Sequence, residues 1–274
     1  GGQTGGGKSV FIRQALVSLM YKVSPEDLHI YLVDLKGGLE FQLFRNAPHV
    51  KGIARDVFEA LETLIEVEKE MERRFELLYE AGVENIYEYR NLGYYLPSIL
   101  LGIDEFAELS ADGIGSNELW DYPPEFEDLI SSLGFNEGTK QKPLPPGKCK
   151  AKDMMEYIHT IVSRLLRLAR AIGIHLFIAT QRPDAKVLPG QSKQNIPVTV
   201  AFRVRNKINS DILLGSPVAA ELPPDIAGRG ILQVGNLMTE IQVPFISGKQ
   251  VKEHLEYLKG YYKRDDWLDD YLSV

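Results

Sequence analysis

The chain begins GGQTGGGKS, and Gly2-Gln3-Thr4-Gly5-Gly6-Gly7-Lys8-Ser9 fits the spacing of a glycine, four further residues, and then Gly-Lys-Ser. Glycines in such a run let backbone N–H groups turn inward on an anion, and a helix beginning there adds its positive end. In that arrangement Lys8 reaches the β- and γ-phosphates of a nucleotide, and the Ser9 hydroxyl coordinates Mg²⁺. The chemistry indicated is nucleoside triphosphate binding with Mg²⁺. A flexible glycine-rich loop can show the same letters, so the motif needs companions.

Two further stretches supply them. SILLGI, at Ser98–Ile103, reads as a buried strand and ends in Asp104-Glu105. Asp104 is placed to hold Mg²⁺ through water, and Glu105 to polarise the attacking water. IHLFIAT, at Ile174–Thr180, is followed by Gln181. Ligand groups gather at the C-terminal ends of strands in an open parallel sheet, so Gln181 is expected to sense the γ-phosphate or position the water. Lys8, Glu105 and Gln181 are therefore the candidate catalytic residues.

The periodicity indicates the elements that must carry them. Val10–Met20 has helical spacing, and HIYLV at His29–Val33 reads as a short strand with Asp34 at its end. Val57–Glu80 is one long helix, with Leu61, Leu64, Ile65, Met71, Phe75 and Leu78 on one side. Its other side, including Glu59, Glu70, Arg73 and Arg74, reads as a solvated face. Residues 111–150 are rich in Gly, Pro, Asn and Lys and read as an inserted loop, with one short helix around Pro124–Leu133. Met154–Ala171 is the next helix and Val198–Val204 a fourth strand. Gly230–Gln233 with Met238–Val243 forms a closing hairpin, and Val251–Tyr262 a terminal helix. This alternation predicts an α/β fold: a mostly parallel sheet with helices on both faces, in one domain over 1–262 followed by an acidic tail, 263–274. The strand that should feed the cradle does not precede Gly1. It is expected beside the Asp104 and Thr180 strands, so a gap is predicted at the centre of the sheet, with Gly1 at the edge of a fragment.

The formal net charge of −7 argues against a basic nucleic-acid coat over the whole surface but leaves room for a narrow basic channel. The longest apolar runs are too short to cross a bilayer. Cys149 is the lone cysteine, which excludes an internal disulfide and a multi-cysteine metal site; in its loop it reads as an incidental exposed thiol. His175 reads as a core histidine of its strand.

In order and spacing, GGQTGGGKS, VDLKGG, EMERRFELLYEAGVENIYEYR, LLGIDEFAEL, RAIGIHLFIATQRPD and INSDILLG resemble the FtsK/SpoIIIE motor domain. The resemblance covers nearly the whole chain except 111–150 and the tail. It implies a RecA-like P-loop ATPase working as a ring, commonly a hexamer, with ATP between subunits. It places the P-loop roles on Lys8 and Ser9, the acid-strand roles on Asp104 and Glu105, the sensor role on Gln181, and a structural or interface role on Asp34 and Lys36. Ser210-Asp211 stands where DNA-pumping members typically have Ser-Arg, so the arginine acting in trans is sought among Arg203, Arg205 and Arg229. The implied function is ATP-driven translocation of DNA, expected to be double-stranded, as the coupling ATPase of a conjugative or other mobile element. Lys186, Lys193 and Lys207 are the candidate substrate contacts. A type VII secretion-like protein-export ATPase is the alternative. The implied location is the cytoplasmic face of the bacterial membrane, with attachment through upstream segments.

Overall fold

A computed structural model describes residues 1–3, 5–36, 38–111, 114–115, 117–138, 144–182 and 193–263. In chain order its elements are α1 (Lys8–Lys22), β1 (Leu28–Asp34), β2 (Val50–Ala54), α2 (Val57–Ala81), α3 (Ile86–Asn91), β3 (Ser98–Asp104), β4 (Leu119–Asp121) and α4 (Glu127–Ser132). There follow β5 (Lys148–Lys150), α5 (Ala151–Leu168), β6 (Ile174–Ile178), β7 (Val198–Phe202), α6 (Lys207–Leu214), β8 (Arg229–Val234), β9 (Leu237–Gln242) and α7 (Gly248–Tyr261).

The central sheet runs β2-β1-β3-β6, and every neighbouring pair is parallel. Alternate strand residues face opposite sides, which divides the core in two. Val33, Ile99, Leu101, Ile103 and Ile174 join Leu61, Leu64 and Met71 of α2 and Ile158 and Val162 of α5 on one face. Ile30, Leu32 and Ala179 join Leu16 and Met20 of α1 and Val251 and Leu255 of α7 on the other. The expected layering, helices on both faces of a parallel sheet, is therefore the observed one.

The ends of α2 follow from its sequence. The Asp56 carboxylate accepts from the Phe58 and Glu59 amides, and Gly82 closes the helix at φ 67°. One residue departs from the expected solvated face: Arg74 is fully buried. Its Nε donates to Glu70 at 2.8 Å and its Nη1 to the Ile172 carbonyl at 3.0 Å, pinning α2 to the turn before β6. Burial lowers its pKa, while the Glu70 carboxylate works in the opposite direction. A helix period alone cannot distinguish a flank facing water from one facing a neighbouring turn.

Among its described residues the stretch 111–150 contains the expected short helix, α4, but also an antiparallel pair, β4 with β5, for which the sequence carries no signal. Cys149 lies opposite Trp120 in that pair and is fully buried, which corrects its reading as an exposed thiol. Burial pushes its pKa up. His175 is also corrected: it is exposed, since alternation turns it away from the α2–α5 layer while Ile174 is buried there.

The predicted gap lies elsewhere. β3 and β6 pair directly from Ile99↔Ile174 to Ile103↔Ile178, so no strand fits between Asp104 and Thr180. The opening lies on the far side of β6. There, Gly1–Gln3 run between β6 and β7: the Gly2 amide donates to Thr180 O (3.3 Å), Gly1 O accepts from the Phe202 amide (2.8 Å), and the Gln3 amide donates to Arg203 O (2.9 Å). Beside them a cavity of about 280 Å³ is walled by Phe11, Leu176, Ile178, Val198 and Val200. β7 does not continue the parallel sheet as a fourth strand; it heads a separate antiparallel sheet, β7-β8-β9.

Candidate nucleotide site

The cradle is shaped by its glycines. Gly7 is the N-cap of α1 at φ 111°, no side chain caps the helix, and no acid stands in its first turn. Its opening amides therefore face outward without a resident carboxylate, the arrangement that favours an anion. A Cβ on Gly7 would lie 2.7 Å from Gly228 Cα, so only glycine fits there. The Gly228 amide donates to Gly6 O at 3.1 Å and braces the cradle. Arg229 is a candidate from the sequence, but it is the glycine before it that meets the cradle. Gly228, at φ 79°, had no local signal beyond its residue type. Thr4 lies outside the described residues.

The strand ends bring the acidic residues to the cradle. Asp34 and Asp104 are in register across β1 and β3. Asp34 is fully buried and accepts from the backbone amides of Lys36 (3.1 Å), Glu40 (2.8 Å) and Phe41 (3.3 Å), so it shapes the loop after β1. Lys8, only 6% exposed, pairs with Asp104, and its ammonium lies 3.7 Å from Glu105 Oε2.

Glu105 is the sole non-glycine residue with positive φ among the described residues, at 54°. Such a backbone costs of order 1–3 kcal/mol and persists only where the surroundings impose it. Here they do. Oε1 accepts from the Thr180 hydroxyl and the Gln181 amide, both at 2.9 Å. Oε2 accepts from Lys36 Nζ at 3.0 Å and from the same amide at 3.1 Å. Burial pushes the Glu105 carboxyl up, but the Gln181 amide, Lys36, Thr180 and Lys8 together hold it below the usual carboxylate range. Lys36 is thus in the site itself, beyond the structural or interface role expected from its position.

Gln3, Gly5, Lys8, Ser9, Gln181 and Phe245 are among the residues lining a cavity of about 360 Å³. Phe245, 77% exposed, offers a flat apolar face at its edge and was not singled out from the sequence. Lys8, Ser9, Asp104, Glu105 and Gln181, drawn from three separated stretches, therefore converge.

The remaining candidates divide. Arg203 donates to the Leu222 carbonyl of its own chain, and Arg229 pairs with Glu240 at 2.8 Å. Arg205 is exposed and has no ion pair among the described residues. Lys193 donates to the Ile212 carbonyl, and Lys207 lies 3.6 Å from Glu221. Lys186 lies outside the described residues.

The chain is similar to several known proteins. Residues 1–95 match the FtsK/SpoIIIE family. A DNA translocase FtsK from Campylobacter jejuni is 32% identical over 268 residues, covering 94% of this chain and 24% of that protein. One from Borreliella burgdorferi is 31% identical over 100% of this chain and 30% of that protein. The chain thus spans a quarter to a third of the length of these curated relatives. The pCW3 conjugation coupling protein TcpA, solved with ATPγS, superposes with a TM-score of 0.71 at 29% identity, over 93% of this chain and 63% of that one. The cytoplasmic domain of the Thermomonospora curvata type VII secretion ATPase EccC shares the fold, with a TM-score of 0.67 at 23% identity over 94% of this chain and 27% of that one. The fold is that of P-loop ATPases, and the resemblance to the FtsK/SpoIIIE family holds from the phosphate cradle through the C-terminal strands, with the family match itself spanning residues 1–95.

Proposed function

We propose that this chain is the ATP-hydrolysing motor of a DNA translocase, in the role of a coupling ATPase of a conjugative or other mobile element. The observation that carries the reading is that Lys8, Ser9 and Gln181 line one cavity beneath an uncapped helix start, with buried Asp104 and Glu105 held behind it on Lys8 and the Gln181 amide. The cradle amides and Lys8 bind the phosphates. Phe245 gives the base an apolar face. Thr180 and the Gln181 amide fix Glu105, which takes the proton of the attacking water.

Ser9 and Asp104 would hold Mg²⁺. Their hydroxyl and carboxylate oxygens are the hard donors this ion prefers, and it usually takes few protein ligands. When bound, the ion neutralises charge on the transferring phosphoryl group.

A ring of copies, six by family resemblance, would bring Arg205 of one subunit to the phosphates of the next; among the described residues it is exposed and without an ion pair, whereas Arg203 is tied to the Leu222 carbonyl and Arg229 to Glu240. No described helix is long and apolar enough to cross a membrane, so attachment at the cytoplasmic face would come from elsewhere in the protein or from a partner. The test is ATP turnover with and without double-stranded DNA. Stimulation by DNA is the expected result. Turnover that no DNA alters would refute translocation of DNA and leave the protein-export alternative.

A further inference from the structure

Glu105, as the structure holds it, has no oxygen left for a water. Each carboxylate oxygen already accepts two hydrogen bonds, and the group is 1% exposed. A general base must reach the proton it removes, directly or through one water. One of its donors must therefore leave before the chemistry.

The donors are not equally able to leave. The Gln181 amide is main chain at the end of the β6 segment, and Thr180 is 2% exposed and also accepts from the Arg182 amide. Lys8 is buried and committed to Asp104. Lys36 differs from all three: its side chain is 41% exposed, and it reaches Glu105 from the loop after β1. That loop is anchored through its backbone by Asp34, so the lysine side chain can swing without disturbing the strand. A lysine ammonium on a flexible stem costs little to redirect, and phosphate competes well for it.

We propose that Lys36 is a latch: it holds the Glu105 carboxylate closed, and a phosphate at its solvent-facing side draws it away and frees Oε2 for catalysis. Lys36 is on this view a positioning residue, acting through Glu105. The inference rests on the ATPase reading above. The phosphate has two sources, the DNA backbone and the nucleotide, and a single experiment separates them.

Steady-state ATP turnover is measured for the wild type, Lys36→Met and Lys36→Arg, each with and without double-stranded DNA, alongside binding of a slowly hydrolysed ATP analogue. Lys36→Met should raise DNA-free kcat about tenfold, the rate equivalent of about 1.4 kcal/mol, with KM for ATP unchanged. Lys36→Arg should keep the wild-type pattern. Loss of DNA stimulation in Lys36→Met assigns release to DNA phosphates; wild-type fold-stimulation by DNA on a raised basal rate means that DNA acts elsewhere, and assigns release to the nucleotide, whose phosphate then draws Lys36 away in only a fraction of the bound sites. A basal rate unchanged or lowered in Lys36→Met overturns the latch, and so does loss of analogue binding, which would place Lys36 on the nucleotide. A wild type without turnover under any condition is a different failure, that of the ATPase reading itself.

Discussion

Replacing Glu105 by Gln tests the site through both stability and rate. The amide is nearly isosteric, so Oε1 can go on accepting from Thr180 and Gln181. The other position becomes an NH₂ group facing two donors, Lys36 Nζ at 3.0 Å and the Gln181 amide at 3.1 Å. Hydrogen bonds to a charged group contribute about 1.5–3 kcal/mol. Removing a buried charge returns part of that, because ionised Glu105 carries a burial cost. The net loss is therefore about 1–2 kcal/mol, and a chain of this length loses about 2–4 °C of melting temperature per kcal/mol. Turnover should fall much further, by about 10²–10⁴-fold, the usual contribution of a positioned base. Binding of a slowly hydrolysed ATP analogue should stay within about threefold, because the cradle and Lys8 are untouched. The assay is steady-state turnover with calorimetric binding and a thermal melt on the same preparation. A kcat within tenfold of wild type would refute Glu105 as the base.

Three other outcomes follow from the geometry. His49 and His159 are both held below the ordinary histidine value by burial, against hydrogen bonds to the Val23 carbonyl and the Leu109 backbone respectively. Above pH 6.5 both states of the chain leave them neutral. As pH falls below 6.5 the unfolded chain takes up protons first, so stability should drop by at most about 1.4 kcal/mol per pH unit per group until the folded values are passed. Melts between pH 7.5 and about 5 check this, and His159→Leu should flatten part of the slope. Gly7→Ala should abolish nucleotide binding, since its Cβ would lie 2.7 Å from Gly228 Cα on a backbone at φ 111°; wild-type affinity would disprove the account of the cradle. Phe245→Ala should raise KM for ATP about 2- to 12-fold at unchanged kcat, the worth of about 0.5–1.5 kcal/mol of ring contact. A change in kcat alone would place Phe245 outside the base site.

The readings that succeeded from sequence are those in which a few neighbouring residues impose the outcome. The apolar runs at residues 28–34 and 98–104 specify buried parallel strands, and the Asp56 and Gly82 ends specify the long helix Val57–Ala81. β2 escaped notice because Lys51 and Gly52 interrupt its apolar pattern at the sheet edge. The β4–β5 pair escaped because each strand has only three residues, and its stability comes from Cys149 and its neighbours packing on α5 and α4. Arg74 misled because a charge on a helix flank is normally solvated, and only the Ile172 carbonyl brought in by the turn before β6 makes burial acceptable.

For the site, the sequence by itself determined which groups are present: a glycine cradle ending in Lys8-Ser9, an acid pair after a buried strand, and a Thr-Gln pair after another. Their chemistry is local, carried by residue type and by the strand or helix end on which each sits. Tertiary structure alone decided the partnerships. It paired β3 directly with β6, moved the opening to the β6–β7 side, set Gly228 against Gly7, and brought Lys36 onto Glu105 from 69 positions away. Those contacts depend on strand order and on the distance between loops, which periodicity within a single segment does not encode.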